Sequence, residues 1–77
     1  MNNIKNNWLI WSNEHKAWWN ANKRGYTFII EEAGRYSFDD ANLLCNEANE
    51  YLQSDEMPNE IMSPSPELMD QINRNEY

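Results

Sequence analysis

The chain reads as a small α+β domain: an antiparallel sheet of two to four strands between Trp8 and Tyr36, packed against one main helix, with a loose or short-helical C-terminal tail. Three observations predict this class. Short aromatic and β-branched runs, Trp8–Trp11 and Tyr26–Ile30, are separated by turn-forming residues. A capped, periodic apolar stripe begins at Ser37. After Gln53 the texture shifts to Ser, Pro and acidic residues.

Trp8-Leu9-Ile10-Trp11 ends at the turn-prone Ser12-Asn13 and reads as a strand. A second strand, Lys16 to Trp19, returns beside it through a hairpin loop at Ser12–His15. Adjacent Trp18 and Trp19 then point to opposite faces, one toward the core and one outward. Gly25 supplies the bend before a third strand, Tyr26 to Ile30, and Arg35-Tyr36 forms another brief extended piece.

The main helix is predicted over Phe38–Leu52. Ser37 is the N-cap, Asp40 stands three positions on as in a capping box, and Asp39 and Asp40 meet the positive end of the helix dipole. Ala41, Leu44, Cys45, Ala48 and Leu52 recur at three- and four-residue spacings, with Tyr51 at the edge. Cys45 in that stripe reads as a small buried hydrophobe. Met57, Ile61 and Met62 tuck one extended segment against the sheet or helix. Ser65-Pro66-Glu67 resembles a helix start, but Leu68, Met69 and Ile72 give that helix only one small apolar face. The organisation expected is a flexible 1–7, a domain over 8–62, and a tail over 63–77 that is disordered or folds on a partner.

Seventy-seven residues hold one small core, which excludes a multidomain enzyme. One cysteine forbids an internal disulfide, and with a single histidine it leaves too few ligands for a closed His/Cys zinc site. Stability must come from packing or association. Four Trp, four Tyr and two Phe supply the packing in a chain of mean hydropathy -0.97. Homodimerisation through an exposed tryptophan edge is compatible with so small a core. No leader or membrane span is expected, and the unpaired thiol suits a reducing cytoplasm.

Charge is lopsided. Residues 1–35 hold five Lys or Arg against three Glu, a net +2, whereas 36–77 hold one Arg against ten carboxylates, a net -9. The acidic half repels phosphate backbones and attracts basic surfaces, so direct nucleic-acid binding is disfavoured and a host protein with a basic surface is the expected partner.

Candidate chemistry is sparse. Glu14 and His15 form an acid/base pair in a hairpin loop, but nucleophile elbow, phosphate loop and second histidine are all missing from the sequence, so no enzyme, cofactor or metal is expected. Glu31/Glu32 and Asp39/Asp40 are better explained as a solvated turn and as helix capping. Glu47, Glu50, Asp55, Glu56 and Glu60 form a carboxylate row off the apolar stripe, the first candidate for partner binding, in a spacing that can imitate a phosphate backbone. Glu14, His15, Trp18 and Trp19 make a second contact surface. Trp18, Trp19 and Tyr26 with Lys16, Lys23 and Arg24 give the alternative, a single-stranded nucleic-acid accessory protein.

Trp11-Ser12-Asn13-Glu14-His15, Ala17-Trp18-Trp19, Gly25-Tyr26-Thr27 and Ala33-Gly34-Arg35-Tyr36-Ser37, in that order and spacing, resemble a family of small uncharacterised proteins of tailed bacteriophages and prophages, as does the later Pro58-Asn59-Glu60-Ile61-Met62. The resemblance covers residues 8–62 and implies a phage context without a mechanism. Small acidic phage proteins lacking catalytic residues commonly bind a host protein, for example as inhibitors of CRISPR effectors or restriction enzymes.

Overall fold

The computed structural model describes residues 6–50 and 57–74. Strands β1 (Trp8–Ser12), β2 (Ala17–Trp19), β3 (Tyr26–Thr27) and β4 (Glu60–Pro64) form one sheet of order β3-β2-β1-β4. Every neighbour in it is antiparallel. Helix α1 (Phe38–Ala48) packs on β1 and β4, and helix α2 (Pro66–Asn73) packs against β4. The fold is the small α+β arrangement that the sequence predicts.

Strand alternation separates the two sheet faces. Trp8 and Ile10 of β1, Trp19 of β2 and Met62 of β4 share the face that α1 covers, and with Tyr36, Ala41, Leu44 and Cys45 they form the core. Leu9 and Trp11 lie on the other face, where Trp11 pairs across the strands with Trp18 and Ile61. Trp18 and Trp19 thus do point to opposite faces. Leu9 is fully buried, and α2 contributes Leu68, 1% exposed.

Both helices start as the sequence indicates. Ser37 Oγ accepts from the Asp40 N–H at 3.0 Å, and Ser65 Oγ accepts from the Leu68 N–H at 3.2 Å with Pro66 at the first helical position. The end of α1 differs from the predicted Leu52: the helix stops at Ala48 because the next side chain, Asn49, is taken by β4. Its Oδ1 accepts from the N–H groups of Asn59 (2.7 Å) and Glu60 (3.1 Å), and its Nδ2 donates to the Glu60 carbonyl (2.9 Å). Tyr51 and Leu52 lie outside the described residues.

Three further expectations are corrected. The third strand is only Tyr26–Thr27, because Thr27 Oγ1 accepts from the Ile29 N–H at 3.1 Å and bends the chain into a 3-10 turn at Ile30–Glu32. The first hairpin loop is Asn13–Lys16, one residue later than expected, with Lys16 left-handed at φ 54. The domain does not end at residue 62. β4 continues to Pro64, the Ser65 N–H donates to the carbonyl of a buried Asn7 at 2.8 Å, and Arg35 clamps α2 through both Glu67 oxygens at 2.8 and 3.0 Å. The same guanidinium donates to the carbonyls of Ile30 and Ala33, so one cation ties the 3-10 turn to α2.

Candidate functional site

The outer side of α1 carries the first candidate surface. With Ala41, Leu44 and Cys45 turned to the sheet, the helical repeat places Asp39, Leu43 and Glu47 outward, and Glu50 follows in the turn beyond the helix end. All four are exposed, Leu43 by 57%. From Tyr36 to Asn73 the sequence holds no Lys or Arg. Glu47 stands in the last turn of α1, where the negative end of the helix dipole disfavours a carboxylate by about 0.3–1 kcal/mol. An exposed leucine among such acids suits contact with a protein more than a purely solvated face.

The predicted carboxylate row is not continuous. Asp55 and Glu56 lie outside the described residues. Glu60 does not belong to the exposed row: it is 7% exposed, its backbone is bonded by Asn49, and its Oε2 accepts from the Trp19 indole N–H at 3.4 Å. It sits on the face that α1 covers because it is the strand partner of Ser12. Glu47 and Glu50 are therefore the placed members.

The Glu14–His15 loop is held by its own polar atoms. Asn13 Oδ1 accepts from the Trp11 indole N–H at 3.1 Å, while the Asn13 side chain and N–H donate to the carbonyls of Pro58 and Asn59 at 2.6 and 2.8 Å. Ser12 Oγ lies 3.2 Å from His15 Nδ1, a distance that would suit a nucleophile and its base. Ser12 is fully buried, however, and the same oxygen accepts from the His15 backbone N–H at 3.1 Å, which is the bonding of a side-chain-stabilised turn. Glu14 is exposed beside it.

The predicted second surface is divided by the sheet. Trp18 packs edge-on against Trp11 (centroids 4.9 Å apart) on one face. On the other, Trp19 meets Tyr26 edge-on at 6.2 Å, and His15 stacks on Tyr26 at 3.9 Å with ring planes 18° apart. Trp19, Lys23, Gly25 and Tyr26 line an open notch of about 210 Å³. Lys23 also borders an open cleft of about 410 Å³ beside Tyr36 and Leu43. Burial pushes the Tyr36 phenol pKa up, opposed by the hydrogen bond from the Lys23 N–H.

Sequence reading missed Phe28, 83% exposed at the bend after β3. The available signal was that Tyr26–Ile30 lacks polar/apolar alternation, so no single sheet face could bury it. Burial also pushes the Cys45 thiol up to about 11, in keeping with its reading as a core residue. Among the described residues no cluster of His, Cys, Asp or Glu is arranged to hold a metal, and no helix is long and apolar enough to cross a membrane. No protein-family model, curated protein or solved structure matches this chain.

Proposed function

We propose that the chain is a non-catalytic, phage-encoded protein-binding module that works in the cytoplasm of the host bacterium, where it inhibits a defence nuclease of the CRISPR or restriction type. The observation that carries this reading is the outer face of α1 and the turn that follows it, where exposed Glu47 and, past the helix end, exposed Glu50 follow exposed Leu43 in a stretch of chain without a single Lys or Arg. Carboxylates presented on a helix and just past its end repel nucleic acid and suit the basic groove of an enzyme that handles it, by occlusion or by standing in for phosphates. The resemblance of residues 8–62 to small phage proteins supplies the context.

The test compares tagged wild-type protein with E47K/E50K in a pull-down from nuclease-treated bacterial lysate, followed by a cleavage assay on the nuclease recovered. The reading expects a stoichiometric partner whose cleavage the wild type blocks, and loss of both binding and inhibition in E47K/E50K at unchanged circular dichroism. Equal binding by the variant, or a bound partner whose activity is unaffected, overturns it.

A further inference from the structure

The loops on either side of β2 carry charge of the opposite sign to that of α1. Among the described residues Arg35 and Arg74 are ion-paired, whereas Lys16, Lys23 and Arg24 are not, and these three surround the His15–Tyr26–Trp19 cluster in the chain. Two of the three occupy backbone positions that favour another residue. Lys16 lies at φ 54 and Lys23 at φ 58, in the left-handed region where glycine is the least strained choice. Asn22 at φ 59 precedes Lys23, and the Arg24 N–H donates to the Ala21 carbonyl at 3.2 Å, so this is a tight turn with both central residues left-handed. Asn-Gly is the usual pair for such a turn. Here a lysine stands in the glycine position at the edge of an aromatic notch, and strain retained at such a place points to use.

The notch itself suits one flat group. Trp19 and Tyr26 are cross-strand partners that line it at right angles, their rings meeting edge-on at 86° with centroids 6.2 Å apart, and one face of Tyr26 is covered by the His15 ring. Its volume of about 210 Å³ is below that of a drug-sized site and matches a single ring system. Aromatic walls beside unpaired cations are the arrangement by which single-stranded nucleic acid is held, with base on ring and phosphate on ammonium. We infer that the Trp19–Tyr26 notch binds one nucleotide, base against the aromatic walls and phosphate against Lys23. This inference does not depend on the protein-binding reading of α1.

The test follows amide and indole N–H resonances of the purified chain on titration with thymidine monophosphate and with a short oligothymidylate, at about 50 mM salt and again at about 200 mM. Saturable shifts are expected at the Trp19 indole, Gly25 and Tyr26, weaker at the higher salt. Equal affinity for the two probes assigns a free nucleotide as the source, and roughly tenfold or tighter binding of the oligomer assigns a single strand. Lys23→Gly is expected to raise Tm by relieving the left-handed strain while losing roughly tenfold in affinity. Lys23→Gln, which removes the charge but keeps a Cβ at the left-handed position, is expected to lose affinity without the gain in Tm. Shifts absent or mapping elsewhere, affinity retained in both variants, or equal binding of an acidic tyrosine-containing peptide would each overturn the assignment.

Discussion

The phenol oxygen of Tyr36 accepts the backbone N–H of Lys23 at 3.1 Å, thirteen residues back in the chain, and donates to the carbonyl of Asn20. One hydroxyl thereby closes both sides of the left-handed turn at Asn22–Lys23 and joins it to the residue that leads into α1. The ring of Tyr36 meanwhile belongs to the core, edge-on to Trp19 at 6.4 Å.

Tyr36→Phe keeps that ring and removes only the clamp. It is expected to destabilise the fold by about 1–3 kcal/mol, since a donor and an acceptor lose their partner together. Urea denaturation measures the loss, and a variant of unchanged midpoint and slope would show that the turn holds without the hydroxyl.

The two glycines are expected to respond unequally to alanine. At Gly34 an added Cβ would lie 2.6 Å from the backbone N and 2.7 Å from the Cα of Ala21, atoms that no rotamer change can move. At Gly25 the nearest atom would be 3.8 Å away, and only the φ of +87 resists. Gly25→Ala should cost about 1–2 kcal/mol and Gly34→Ala more, at or beyond the upper end of about 1–3 kcal/mol for overpacking. Thermal melts rank them, and the reverse order would contradict the close approach of the segments at Gly34 and Ala21.

Leu68 ties α2 into the fold, so Leu68→Ala is expected to cost about 2–5 kcal/mol. A chain ending at Ser63 should lose cooperative unfolding altogether, read by circular dichroism. A sharp melt retained by that shortened chain would place α2 outside the folding unit.

The Arg35–Glu67 pair predicts a pH dependence. Its hydrogen bond to Arg35 is the chief reason that the Glu67 carboxyl is held below its ordinary value of 4.5, so the folded pKa is lower than the unfolded one. The pair's stabilisation is therefore complete above the unfolded value and disappears as pH falls through the folded one. Both groups are partly exposed, which limits the effect to less than about 1 kcal/mol. Stabilities of wild type and Glu67→Gln should differ near about pH 7 and converge near about pH 3. A constant gap across that range would assign the effect to packing.

What was legible in the sequence was local. Ser37 with Asp39 and Asp40, and Ser65 with Pro66, announce helix starts within one turn of chain, and both helices begin there. Ser12 and Asn13 mark a turn, although their individual bonds, to His15 and to Pro58 and Asn59, were not readable because half of them reach across the fold. Glu60 was misread for the same reason. As one acid in an acidic stretch it resembles surface, and only the arrival of β4 beside β1 places it against Trp19 and Asn49. Glu47 was legible because a helix assigns its own outer face once the inner one is known.

Asn49 has an effect beyond ending α1. The Asn13–Asn59 and Asn7–Ser65 bonds show that residues 59 and 65 turn their polar backbone groups toward β1, which leaves Glu60, Met62 and Pro64 facing away along the free side of β4. The Asn49 carboxamide already occupies the N–H and C=O of Glu60, and Pro64 has no N–H to offer. An incoming strand, from a second copy or from the end of a fibril, would find Met62 alone with both backbone groups to offer. This side of the sheet is thus closed to templated growth by one amide side chain and one imino acid.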